Sequence, residues 1–522
     1  NMIDICPVGA LTSKPFRYSA RTWELSRRKS VSPHDSTGAN LIVHVKNHKV
    51  MRVLPFENDD VNECWIADRD RFSYEALDSA ERLTKPMLKQ GGQWVEVDWQ
   101  TALEYIANGV QCITKENGAG ALGALVSPHS TVEELYLAGA LMRGLGSPNL
   151  DYRLRHGDLR KPQGVRWLGR SVASLSQLQS VLVVGSNLRK DHPLFAQRIR
   201  QAARKGCTVL SIDNAVRDWA MPVAQTLVAN HGAWLQALAD VAAALAQEKG
   251  VSAPVAQGRA DEPTARAIAQ ALLRGEHKAV LLGNAAAHHA QASELLALAG
   301  WIAQQADATV GYLTEAANTV GAQWMQALPG EGGMDAAQML QGKLKGLFLL
   351  NNEPEFDSAA GAQAVAALGK VEMVVTLSPF KTNLEFSDVL LPIAPFTETS
   401  GSFVNAEGRL QSFHAVVRPL GETRPGWKVL RVLGNLLGLQ GFDFETSQDV
   451  LGRATGAAVG SVSHVPQELL SNAVADMPQS VQVVDVPAPA VASLYQLDGL
   501  VRRATSLQLT TDARLAREGV AA

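Results

Sequence analysis

The chain has 522 residues, with 48 Lys and Arg against 51 Asp and Glu and a formal net charge of −3, which excludes a basic nucleic-acid footprint and an acidic solvating tail. Hydrophobic residues make up 46% and charged residues 19%, below the roughly 25% of an average soluble domain, so bulk disorder is excluded and a large core with partner-covered surface is expected. No apolar run approaches the ~18 residues of a membrane span, so no direct membrane insertion is expected.

At about 150 residues per domain, the length predicts three or four domains or one large one with insertions. The four cysteines, Cys6, Cys64, Cys112 and Cys207, have no paired spacing and read as thiols of a reducing compartment. The chain starts at Asn1 and enters at once into Ile3-Asp4-Ile5-Cys6-Pro7-Val8-Gly9-Ala10-Leu11, which reads as a fragment cut from something longer. Residues 1–18 form a short opening piece, and 19–75 a small β-rich module. In that module Leu41-Ile42-Val43-His44-Val45 and Val50-Met51-Arg52-Val53-Leu54 flank a turn at 46–49 as a hairpin. Asp98 stands where an N-cap belongs, and Ala102, Leu103, Ile106, Ala107 and Val110 follow at helical spacing.

From about 120 to 430 a short apolar run, a polar turn and an Ala/Leu-rich helix recur. The runs lie at 123–126, 181–184, 208–212, 279–282, 346–350 and 373–376. Continuous apolar strands alternating with helices predict parallel sheet covered on both faces, with ligand-facing loops at the carboxyl ends of the strands. The loops Gly185-Ser186-Asn187, Gly283-Asn284 and Asn351-Asn352-Glu353 could offer backbone N–H groups to a nucleotide-like ligand. They match no G-x-G-x-x-G or G-x-x-x-x-G-K-[ST] pattern, and ordinary turn chemistry accounts for them. His288-His289 reads as a solvated loop edge, because adjacent helical residues do not share a face. The stretch 398–411 is either a ligand-gripping loop or one that pins two domains together, and Arg424-Pro425-Gly426-Trp427 opens a Leu/Val-rich helix. Beyond about 445 periodicity fades, Pro487-Ala488-Pro489-Ala490 marks a linker, and the Ala/Arg-rich end is expected to be frayed or partner-bound.

The motif Cys6-Pro7-Val8-Gly9-Ala10-Leu11-Thr12-Ser13-Lys14-Pro15 and the block Val61-Asn62-Glu63-Cys64-Trp65-Ile66-Ala67-Asp68-Arg69-Asp70-Arg71-Phe72-Ser73-Tyr74-Glu75 carry a resemblance. So, less specifically, do residues 401–411 and Val501-Arg502-Arg503-Ala504-Thr505-Ser506-Leu507-Gln508. With them the sequence resembles the family of the large iron–sulfur subunit of bacterial NADH:quinone oxidoreductase (respiratory complex I), which carries a molybdopterin oxidoreductase superfamily domain. The resemblance implies an α/β fold of doubly wound, mostly parallel sheets, like formate dehydrogenase and DMSO reductase domains, behind a small β-rich module. It divides the chain into a remnant of an iron–sulfur region (1–18), a cluster-free 4Fe-4S-type module (19–75), the molybdopterin oxidoreductase-like domain (76–445) and a linker and tail (446–522).

The resemblance further implies that Cys6 is the fourth thiolate of a [4Fe-4S] cluster whose other ligands lie upstream. In superfamily relatives the small module holds a second cluster through four cysteines. Alignment on Gly38, Asn40 and Trp65 puts Ser32, Asp35, Ala39 and Ala67 in those places, so the module is expected to keep its fold and lose its metal. His34 and Cys64 lie near the vacated positions without ligand spacing and read as a surface or capping histidine and a packed cysteine; Cys112 and Cys207 read as structural. No molybdenum, no catalytic acid, base or nucleophile, and no nucleic acid are expected. The function implied is that of a peripheral-arm scaffold, passing electrons from NADH through iron–sulfur clusters to quinone with coupled ion translocation. Its partners would be other complex I peripheral-arm subunits, including the NADH/FMN-binding subunit, and its place the cytoplasmic face of the bacterial inner membrane. The alternative is a catalytic molybdopterin-dependent oxidoreductase such as a formate dehydrogenase.

Overall fold

The computed structural model describes residues 2–458, 460–474 and 476–518. Its strands in chain order are β1 (Ser26–Val31), β2 (Asn40–Lys46), β3 (Lys49–Pro55), β4 (Met87–Gln90), β5 (Gln93–Glu96), β6 (Leu122–Val126), β7 (Leu150–Asp151), β8 (Ser180–Val184) and β9 (Thr208–Asp213). Then come β10 (Gln225–Val228), β11 (Lys278–Leu282), β12 (Thr309–Tyr312), β13 (Gly346–Leu350), β14 (Met373–Ser378), β15 (Val389–Pro392), β16 (Gly401–Val404) and β17 (Leu410–Phe413).

The predicted hairpin is β2–β3, turning at Asn47 and His48, both at positive φ, and an unforeseen strand, β1, pairs antiparallel with β2 to complete a three-stranded sheet. Asp98 caps the helix Trp99–Asn117, its carboxylate accepting the backbone N–H of Thr101 at 2.8 Å.

All six apolar runs are strands with every or nearly every residue buried, but they divide between two sheets. One has the order β10-β9-β8-β11-β12 and is parallel throughout. The other, β5-β4-β15-β14-β13-β6-β7, is parallel except at β4 and β5. Each is covered by helices on both faces, such as Trp234–Lys249 and Pro193–Arg204 on the first, because a strand buried on both sides must be apolar at every position.

The polar stretch after 398 forms the hairpin β16–β17, and it pins modules together. The backbone N–H of Ala406 donates to Ser36 O (2.7 Å), Asn405 Nδ2 to Thr37 O (3.0 Å) and Gln411 Nε2 to Gly38 O (3.0 Å). At Gly426 a Cβ would stand 2.3 Å from Glu134 Oε1, so a larger residue at the start of the helix Gly426–Leu436 has to displace that carboxylate. The Ala/Arg-rich end, expected to be frayed or partner-bound, forms the helices Gly499–Arg503, Thr505–Gln508 and Thr511–Arg517, packed on the small module beside Phe72, while residues 519–522 lie outside the described residues.

Candidate functional site: a filled seat and a crevice

Loop 32–39 of the small module is buried throughout. Ser32 Oγ accepts the backbone N–H groups of His34 (3.2 Å) and Asp35 (3.0 Å), and the N–H of Ser32 donates to Ala39 O (2.9 Å). Asp35 accepts the N–H of Thr37 at 2.8 Å on one oxygen and Arg69 Nη2 at 2.8 Å on the other, with both side chains of the pair buried. Arg69 comes from the helix Asp68–Phe72, which starts after Ala67, and its Nη2 also donates to Asp191 O (2.9 Å). The Arg69 guanidinium holds the Asp35 carboxyl below the usual range against the opposing effect of burial.

The four positions aligned with cluster thiolates thus present a hydroxyl already bonded to the backbone, a carboxylate neutralised by arginine, and two methyl groups. Arg69 occupies interior volume beside them. An iron–sulfur cluster needs soft thiolate donors, and this donor set does not fit one.

His34 lies in the same loop and is fully buried, correcting the expectation of a surface or capping side chain. Its Nδ1 is 2.6 Å from Asp498 Oδ2 and its Nε2 2.7 Å from Ser73 Oγ. Asp498 raises the His34 pKa against the opposing effect of burial. The connectivity is that of a nucleophile, base and acid, yet Ser73 is buried and lines neither of the two cavities beside it, so no substrate carbon reaches it. Asp498 was missed in the sequence, although it caps Gly499–Arg503 through the N–H groups of Leu500 (2.9 Å) and Val501 (3.0 Å), and an Asp before an apolar pair was the available signal.

Cys6 follows the short helix Met2–Ile5. Backbone N–H groups, those of Leu11 and Val8 foremost, lower its thiol pKa. Cys64 is exposed rather than packed, and Cys112 is exposed on its helix, where bonding to Glu116 raises its thiol. Cys207 is buried just before β9, and burial pushes its thiol up to about 12. No three His, Cys, Asp or Glu side chains among the described residues converge as a metal-binding group.

A cavity of about 240 Å³ opens at the carboxyl ends of β6, β11 and β12, bordered by His129, Tyr152, Arg166, Asn284, His288 and Thr314. Among the described residues no cysteine lines it. Ser127, at its edge, already accepts the N–H of His129 at 3.2 Å. His288 and His289 are buried, not the solvated edge expected. His288 Nδ1 donates to Ala490 O (2.7 Å), while His289 Nε2 lies 3.0 Å from His231 O and its ring stacks on Trp234. Each ring has its own carbonyl, and burial lowers both pKa values.

Two buried carboxyls stand apart from this network. Burial pushes Glu133 and Glu134 each up to about 7, although Glu133 accepts the N–H and Oγ–H of Ser402 (both 2.9 Å) and Glu134 bonds Thr131.

Compared with known proteins, residues 82–436 match the molybdopterin oxidoreductase family, and residues 25–75 match the NADH-ubiquinone oxidoreductase NDSU1/NuoG-like 4Fe-4S domain. The chain is 37% identical over 209 residues to an NADH-quinone oxidoreductase subunit of Rickettsia felis, covering 40% of this chain and 30% of that one. It is 29% identical over 454 residues to the mitochondrial NADH-ubiquinone oxidoreductase 78 kDa subunit of Candida albicans (84% and 56%). To the 75 kDa subunit of Reclinomonas americana it is 25% identical over 465 residues (84% and 61%). The chain therefore spans between about a third and three fifths of the length of these relatives. Acetylene hydratase from Pelobacter acetylenicus shares the fold at a TM-score of 0.63 with 15% identity, covering 83% of this chain and 72% of that one.

Proposed function

Since the chain belongs to the molybdopterin oxidoreductase family and carries a NuoG-like 4Fe-4S domain ahead of that body, we propose that it serves as a peripheral-arm subunit of respiratory complex I. There it acts as scaffold for electron transfer from NADH through iron–sulfur clusters to quinone. The observation that carries this reading is the order of the two matched domains in a chain whose relatives are named as NADH-quinone and NADH-ubiquinone oxidoreductase subunits. The Asp35–Arg69 pair agrees with it, because a scaffold can lose a metal seat that a catalytic molybdenum enzyme uses. The formate dehydrogenase alternative gains no support from the crevice, whose cavity walls offer no thiolate among the described residues.

In this reading Cys6 completes a [4Fe-4S] cluster with thiolates from elsewhere in the assembly, the negative charge on its sulfur stabilised by the amides of the turn that follows. Ser32, Asp35, Ala39 and Ala67 mark a second cluster seat that has been vacated. The two large sheets then offer surface to neighbouring subunits, the NADH/FMN-binding subunit among them. The place proposed for it is peripheral, on the cytoplasmic face of a bacterial inner membrane; no helix among the described residues is long and apolar enough to cross a membrane.

The test is affinity purification of the tagged chain from solubilised membranes of its source cells. Recovery of NADH:quinone reductase activity and flavin with the tag is expected. Recovery of the chain alone, or with formate-oxidising activity and molybdenum, overturns the reading.

A further inference from the structure

We propose that the C-terminal segment 490–508 is a strap that opens as a unit over the crevice cavity while both large sheets stay folded. The strap walls the cavity with Leu497, and its Ala490 carbonyl takes the Nδ1–H of His288. Upstream, residues 481–494 contain no helix or strand and include Pro487 and Pro489, a tether that can move without breaking any ladder.

What holds the strap is polar and local. Asp498 engages His34, Arg502 reaches Asp357 at 2.9 Å, Arg503 reaches Glu353 at 2.7 Å, and Ser506 Oγ donates to Glu75 at 2.6 Å. Its apolar seam is small: Tyr495, Val501, Ala504 and Leu507 cluster with Leu494, Phe72 and Ala513, apart from the cores of the two sheets, and Leu500 packs on the core of the small module. Buried ion pairs gain little net free energy because desolvation offsets their attraction. A segment held by such pairs and a short seam opens at a lower free energy than a sheet buried on both faces.

The cavity behind the strap is not a packed core. His129 Nε2 and Thr314 Oγ1 border it, are buried, and find no hydrogen-bond partner among the described residues. The His129 ring donates from Nδ1 to Pro33 O (2.9 Å), and burial lowers its pKa, so its Nε2 is a bare acceptor. Unpaired buried polar atoms are costly when sealed and are served by polar solute or water that enters when a gate opens.

Two measurements on the whole chain test this. In native-state hydrogen exchange at low denaturant, amides 499–508 are expected to exchange together and well before those of β13 and β14. If they exchange only with those strands, the strap is part of the global fold and the proposal fails. The second is diethyl pyrocarbonate modification of His288, mapped by mass spectrometry against exposed His277 as reference. Asp498→Asn, and separately Arg502→Gln with Arg503→Gln, are expected to accelerate His288 modification at least about tenfold, given the usual effect of removing one partner of a buried ion pair. Protection of β13 should be unchanged. An unaltered His288 rate in both variants overturns the proposal. Should the variants fail to fold, exchange in the unmodified chain decides alone.

Discussion

Replacing Arg69 by Met probes the filled seat directly. The substitution keeps the stem volume and removes the cation from Asp35, whose carboxylate is fully enclosed, and it also leaves Asp191 O without this donor. Stripping one partner from a buried ion pair costs roughly 3–5 kcal/mol. A single unfolding free energy is ill-defined for a chain of several folded units, so the readout is local: exchange of the amides of Ser32 and Gly38, which donate to Ala39 O and Asp35 O. At about 1.4 kcal/mol per decade, their protection should fall by about two to three and a half orders of magnitude. Asp35→Asn alone should also loosen the loop, and the double variant should fall short of the summed effects by about 1–3 kcal/mol, because the uncompensated charge is gone. If Arg69→Met leaves both amides within a few-fold of the parent, the pair does not hold the seat and the reasoning is refuted.

Glu133 and Glu134 give a pH signature. A carboxyl whose folded pKa is raised to about 7 binds its proton more tightly in the native state, so stability declines as pH rises from about 4.5 to 7 and levels off beyond. Glu133→Gln should flatten that decline in thermal melts at pH 5 and pH 8, whereas an unchanged slope would mean the group is ionised throughout. Among the cysteines, Cys6 should alkylate with iodoacetamide faster than Cys112 at pH 7, and Cys207 should react only on unfolding; peptide mapping that finds Cys112 ahead contradicts the amide-stabilised thiolate. Gly426→Ala must displace Glu134 or the helix start and should destabilise the second sheet's domain by about 1–3 kcal/mol in urea, so a neutral result would show that the contact yields freely.

Periodicity located the strands because a strand covered on both faces must be apolar at every residue, as at 346–350 and 373–378. It could not assign them to two sheets, since pairing partners such as β8 and β11 are set by contacts far apart in sequence. β1 stayed hidden because Ser26-Arg27-Arg28-Lys29 carries no apolar alternation, its first four residues being exposed. The positions Ser32, Asp35, Ala39 and Ala67, proposed as a vacated seat, were singled out by the alignment of motifs. Their replacement was not: Arg69 could be seen as a charge but not as the partner of Asp35, and the join of His34 to Asp498 spans nearly the whole chain. His34 and His288 were misplaced for one reason. A histidine in a loop looks solvated until the carboxylate or carbonyl that receives its proton is known.

The proposed exchange in the small module is of an iron–sulfur cluster for the enclosed Asp35–Arg69 ion pair. It is tested most directly by anaerobic purification of this chain with the NuoG-like module intact, iron and acid-labile sulfide analysis, and electron paramagnetic resonance after dithionite reduction. Iron and sulfide far below one [4Fe-4S] equivalent and no reduced-cluster signal are expected, with Asp35 and Arg69 still paired. A full cluster equivalent retained by the chain, unaffected by Cys6→Ser, would contradict it.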